Sequence, residues 1–307
     1  MLCFTLDHKQ TFVLNQLKTI ALLGVLSAIL IAIGAAVSPA AMWIFGGLAV
    51  LMNFAGYFWS DRLVLAMNRA RPLAPGADPA LEEMVSELAA RAGIPVPRIY
   101  LIDEDAPNAF ATGRNPEHAV VAVTRGIRRL LTDRELRGVL AHEISHVRNR
   151  DILIASVAAM IASVIAMIAS VIKWGAIFGF GGSDRDEEGG AGGLIAALVL
   201  AIVAPIAATI VQLAISRSRE YGADATGAAL SGDPRALASA LAKLHRGNDR
   251  LRFRPVGDNP ATASLFIVAP LTGDQVASWF STHPPIAERI RRLEAMAAGK
   301  SLQARAA

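Results

Sequence analysis

Four stretches of nearly uncharged residues constrain this chain more than any other feature: 19–38, 40–60, 152–174 and 193–216. An α-helix needs about twenty consecutive apolar residues to cross the hydrocarbon core of a bilayer, and each stretch has that length. A buried helix of a soluble protein can be as apolar, but four such runs in 307 residues point to membrane spans rather than to core alone. Pro205 lies inside the fourth run; membrane helices tolerate proline where neighbours satisfy the freed carbonyl. The first run follows MLCFTLDHKQTFVLNQLK and precedes no small-residue cleavage site, so it is expected to remain as an anchor.

Charge then suggests an orientation. All but Lys173 and Arg185 of the 30 Lys and Arg lie before the first run, between the second and third, or after the fourth. The connector between the third and fourth runs carries the acidic SDRDEEGG. By the positive-inside rule, the N-terminus and both long polar segments face the cytoplasm. The net charge of +4 therefore needs no nucleic acid partner, and the arginines are dispersed rather than interleaved with aromatics. The lone Cys3 excludes an internal disulfide and a thiolate-rich metal site. The expected organisation is a membrane hairpin (1–60), a polar segment (61–151), a second hairpin (152–216) and a second polar segment (217–307). The two polar segments together have the size of one domain.

Within the first polar segment, 81–93 has apolar residues at helical spacing and stops at Gly93. PRIYLID (97–103) and HAVVAVT (118–124) are short and rich in β-branched residues, hence strands. PNAFATGRNPE between them contains a turn at 113–117, which suggests a hairpin. Thr132 and Glu135 form a capping-box pattern ahead of LRGVLAHEISHVRNRD. With no proline or glycine from Val139 to Trp174, that helix is expected to run on into the third span. In the second polar segment 217–230, 234–244 and 284–298 read as helices, and 252–271 as irregular.

His142 and His146, four apart, share one helix face and can bind one ion, with Glu143 beside them. Two surface histidines on an amphipathic helix would produce the same pattern, so a third ligand is needed. Catalytic zinc takes three protein ligands and keeps one position open. The third does not follow in the next turns, where Asn149 and Ile152 stand, and His8, His118 and His245 read most simply as solvent-facing. Glu220 is the better candidate. His146 lies just before the third span and Glu220 just after the fourth, so an out-and-back hairpin returns both to one membrane face. Asp224, one turn beyond Glu220, can accept the outer N–H of a liganding histidine. The competing role for Glu220 is an ion pair with Arg217 or Arg219.

AHEISHVRNRD, SRSREYGADA and STHPPIAERIRRL, in this order and with this membrane layout, closely resemble the HtpX membrane metalloproteases, relatives of the CAAX prenyl endopeptidases. The resemblance covers nearly the whole chain. It implies a mainly α integral membrane protein with four transmembrane helices and a cytoplasmic α+β zincin-like (gluzincin) domain containing a small β-sheet. It implies one Zn2+ on His142, His146 and Glu220, and Glu143 as general base. It places His283 near the reacting carbonyl, with Arg289 as its structural companion, although His283 can equally cap the helix that follows it. Asn108 and the strand Ala109, Phe110, Ala111 would hold the substrate backbone as an added strand. The implied function is cleavage of misfolded or damaged membrane proteins in envelope quality control, with the lipid bilayer as the other partner. Two alternatives remain: a membrane protein that binds zinc without turnover, and a small transporter. Both are weakened by the absence of ionisable residues deep in the runs, where a transport path would show one.

Overall fold

The computed structural model describes residues 16–157 apart from 22, 26, 29, 33, 36 and 37, and residues 217–251 and 284–299. Most of the expected third span, the whole fourth span and their connector lie outside the described residues, as do Cys3, His8, His283 and 252–271. The described part of the first apolar run is helical.

Helix α1 (Pro39–Met67, 29 residues) begins where the sequence allows it to. The Ser38 side chain accepts the Ala41 N–H at 3.1 Å, and Pro39 occupies the first turn, where no N–H is required. Among the described residues this is the one helix long and apolar enough to cross a membrane. It does not stop at residue 60, where the apolar run ends. Its last two turns enter the polar body, with Val64 and Leu65 buried against Ile102, Phe110, Val120 and Ala122.

Those residues belong to a four-stranded sheet of β1 (Arg71–Pro72), β2 (Arg98–Ile102), β3 (Ala109–Thr112) and β4 (Val120–Thr124). The strand order is β1-β2-β4-β3, so β3 is an edge. The expected hairpin is present: β3 and β4 pair antiparallel with Ala109 opposite Val123 and Ala111 opposite Val121, while β2 and β4 run parallel. Every residue of β4 is buried because both sheet faces are covered. Phe110, Val120 and Ala122 face α1; Ala109, Ala111, Val121 and Val123 face the main helical core.

That core gathers α2 (Pro79–Ala92), α3 (Arg125–Leu130), α4 (Asp133–Arg148), α5 (Arg217–Ser231), α6 (Pro234–Leu251) and α7 (Ile286–Ala297). Gly93, at φ +68°, closes α2 in the left-handed conformation. The capping box at Thr132 and Glu135 starts α4. Its Leu136, Val139, Leu140, Ile144 and Val147 are fully buried, as the spacing predicts.

One expectation fails. Helix α4 does not continue into the next apolar run: it ends at Asn149, Arg150 turns to φ +59°, and a new helical segment starts at Ile152. The Asp151 N–H closes the break by donating to the His146 carbonyl at 2.9 Å. No glycine or proline marks this stop. The left-handed residue is an arginine, which pays a steric cost a glycine would avoid.

Candidate active site

Helix α4 presents His142, Glu143 and His146 from a stretch whose remaining side chains are mostly committed to the core. Helix α5 crosses it and brings Glu220 and Asp224 to the same point. The crossing is close because of Gly227. A methyl group there would meet the His142 backbone nitrogen at 2.8 Å, so any larger residue would push α5, and Glu220 with it, away from the histidines.

The ligand atoms of His142, His146 and Glu220 all lie within 4.8 Å of one another. The two Nε2 atoms are 3.2 Å apart. Each imidazole Nε2 is 3.6 Å from a Glu220 carboxylate oxygen. Zinc bonds of about 2.0–2.2 Å at tetrahedral angles separate neighbouring ligand atoms by about 3.3–3.5 Å. The two imidazoles have about that spacing, and Glu220, which turns one oxygen to each of them, completes a three-donor set able to hold a divalent ion.

Both outer ring nitrogens are held by carboxylates. His142 Nδ1 is 3.0 Å from Asp224 Oδ1, and His146 Nδ1 is 3.2 Å from Asp151 Oδ2. Asp224 is gripped in turn by Arg289, whose Nη2 and Nε donate to its two oxygens at 2.7 and 2.8 Å. Arg289 is 0% exposed. Burial alone would raise the Asp224 carboxyl, but the Arg289 guanidinium and the His142 N–H hold it well below the usual carboxylate range. Burial would likewise lower His142, yet Asp224 and Glu220 outweigh it and raise the imidazole to about 9. A field that favours imidazolium here favours a divalent cation for the same reason.

Glu143 is buried beside the cluster, and its Oε2 accepts the Ala111 N–H at 3.0 Å. Burial pushes its carboxyl up, against the pull of the two imidazoles. This bond fixes the aspect of the sheet edge. The Thr124 N–H donates to the Asn108 carbonyl at 2.9 Å, which makes 108/124, 110/122 and 112/120 the hydrogen-bonded pairs. The N–H and C=O groups of Ala109 and Ala111 therefore point outward, toward Glu143. Asn108, buried at the start of this edge, has a side-chain Nδ2 with no hydrogen-bond partner among the described residues. The Phe110 side chain packs instead toward α1.

The residues read from sequence as ligands and base thus converge, and Asp224 selects His142. Arg289 meets Asp224, while its relation to His283 lies outside the described residues. His118 and His245 are exposed and take no part in the cluster. Sequence reasoning missed Asp151 and Gly227. Asp151 was hidden by the unforeseen break in α4. Gly227 had one available signal: a glycine seven residues after Glu220, on the same helical face.

Residues 75–297 match the description Peptidase family M48. A Protease HtpX homolog of Syntrophobacter fumaroxidans is 54% identical over 284 residues, covering 92% of this chain and 99% of that protein. Another, from Desulfatibacillum aliphaticivorans, is 50% identical over 91% of this chain and 89% of its own length. A solved structure titled "Crystal Structure of S. mikatae Ste24p" aligns with 93% of this chain and 67% of its own at 21% identity, with a TM-score of 0.49. With most of its length matched and a three-donor metal site at its centre, the chain belongs to peptidase family M48 and is a metalloprotease.

Proposed function

We propose that this metalloprotease is a membrane-embedded zinc endopeptidase that cleaves misfolded or damaged membrane proteins at the cytoplasmic face, in quality control under stress. The observation that carries the chemistry is the convergence of the His142, His146 and Glu220 ligand atoms within 4.8 Å of one another, with Glu143 beside them on the sheet edge. His142, His146 and Glu220 hold the ion, which supplies Lewis acidity toward the peptide carbonyl and the attacking water.

The remaining work belongs to the chain. Glu143, not itself a ligand, takes the proton from the attacking water and delivers it to the leaving amine. Asp224, clamped by Arg289, keeps the His142 ring oriented so that its Nε2 faces the cluster. The outward N–H and C=O of Ala109 and the C=O of Ala111 bind an extended substrate as an added strand, which reads backbone rather than side chains and suits a broad substrate range. The unpartnered Asn108 Nδ2 supports a further bond to that strand. His283 is assigned as a donor to the developing oxyanion.

Membrane placement is supported by α1. Trp43 near one end is 77% exposed, Trp59 near the other is 48% exposed, and Ile44, Val50, Leu51 and Phe54 between them are exposed as well. Two tryptophans sixteen residues apart stand about 24 Å apart on a helix, most of the roughly 30 Å thickness of a bilayer core. The four-span topology, with both polar segments cytoplasmic, follows from the run lengths and the charge distribution.

Purified enzyme should contain one zinc per chain and cleave an unfolded polypeptide. Glu143→Ala should retain the metal while cleavage falls on the order of 10²–10⁴-fold; Glu220→Ala should lose the metal. Undiminished cleavage by the Glu143 variant would remove the mechanism. A zinc-loaded wild type that cuts nothing would leave only zinc binding without turnover.

A further inference from the structure

We infer that the reacting position lies so close to the bilayer that the enzyme cuts membrane-anchored polypeptides within the first few residues outside their spans. This rests on the proteolytic reading of the site and on α1 being a span.

Three connections tie the substrate edge to the membrane boundary. Tyr57, Phe58 and Trp59 are the last exposed aromatics of α1, and charge begins at Asp61 and Arg62, so the boundary falls near residues 57–60. From Trp59 the helix continues unbroken to Leu65, about 9 Å further along its axis. There Val64 and Leu65 bury against Phe110 of β3, the neighbour of the residue whose N–H meets Glu143.

The second connection returns from the other end of the strand. The guanidinium of Arg114, two residues past β3, lies 5.6 Å from the centroid of the Phe58 ring. Between Ala111 and Arg114 the backbone can extend only about 10 Å. The third passes through the adjoining segment. Thr112 Oγ1 and Ser156 Oγ, both fully buried, are 2.7 Å apart, and Ser156 lies one turn into the helix that resumes at Ile152, read as the start of the third span.

The edge strand therefore runs with its C-terminal end toward the lipid, and Glu143 bonds to it one residue from that end. Among the described residues the link from span to site is direct, because Val64 and Leu65 of α1 pack on Phe110 of the same strand that bonds Glu143. An extended polypeptide covers about 3.3 Å per residue, so roughly three to four residues bridge the boundary and the reacting position. The substrate class is a polypeptide with a membrane anchor and an extended juxtamembrane segment. A catalytic body on a free linker would need a far longer tail.

The test uses the full-length enzyme in phosphatidylethanolamine–phosphatidylglycerol liposomes with single-span substrates. Each carries one cleavable segment set about 4, 10 or 20 residues from its span and followed by a folded domain, sized against the reach of an extended chain. The same segment as a free peptide in detergent is the control. The 4-residue substrate should be cut within about threefold of the rate of the 20-residue one, with product ends by mass spectrometry falling inside the first several residues. Cutting that begins only beyond about ten residues overturns the inference and leaves the protease reading intact. Cutting of the free peptide but of no anchored substrate overturns it likewise. Failure to cut even the free peptide overturns the protease reading, and the inference with it.

Discussion

Asp151 reaches His146 because one non-glycine residue, Arg150, adopts φ +59° and turns the chain back at the end of α4. Such a conformation costs on the order of 1–3 kcal/mol and persists only where its surroundings hold it. Here the return is a carboxylate on the outer nitrogen of a proposed zinc ligand, matching Asp224 on His142. Asp151→Asn should therefore lower zinc affinity about 10–100-fold, measured by chelator competition, while circular dichroism stays unchanged. Unchanged affinity would reduce the pair to a helix-end contact. At this scale legibility was uneven. His142, Glu143 and His146 stand in a spacing that carries its own geometry, and Asp224 follows from Glu220 by one turn. Asp151 needed a break that neither glycine nor proline announces.

The elements were easier to read than their joints. Helix α4 starts at the capping box seen in sequence, but Glu135 does more than cap. It accepts from Thr132, from Ser239 at 2.7 Å and from Lys243 at 2.7 Å, fastening α4 to α6. Burial would raise this carboxyl, yet the Lys243 ammonium and the hydroxyl and backbone donors bring it from 4.5 down to about 2. A depressed folded-state value means stability present above pH 4.5 and lost as pH falls toward 2. Glu135→Gln should cost about 1–3 kcal/mol at neutral pH by thermal denaturation in detergent, with the gap to wild type closing between those two values. A gap independent of pH would show that the charge contributes nothing. The strands β2 and β4, the hairpin and the helices α2, α4, α5, α6 and α7 stand where β-branched runs, turn residues and helical spacing put them, whereas β1 and α3 were not read from the sequence. The expected continuity of α4 fails because a local turn, with Asp151 bonded back to His146, interrupts a stretch that no glycine or proline marks.

For the whole molecule, the metal site is a fastening between distant parts of the chain. His142 and His146 come from one polar segment and Glu220 from the other, and the packing of α4 on α5 joins them. Zinc that binds only the folded state at about a thousandfold over its Kd adds about 4 kcal/mol. Its removal by a chelator should then lower Tm on the order of 10 °C, reversibly on adding zinc back. Loss of zinc by elemental analysis with no change in Tm would mean that the ion does not join the two segments. The same construction binds the catalytic body to the membrane, since α1 serves both as a proposed span and as a cover for the sheet.

Local pattern alone determined the helix and strand types, the apolar runs and the pairing of two histidines with a glutamate, because period and spacing are written into neighbouring residues. Tertiary structure alone decided that Asp224 serves His142, how near α5 may approach α4, and which backbone groups of β3 face Glu143. Those are distances between residues far apart in the chain, set by packing of whole elements against one another, and no local spacing encodes them.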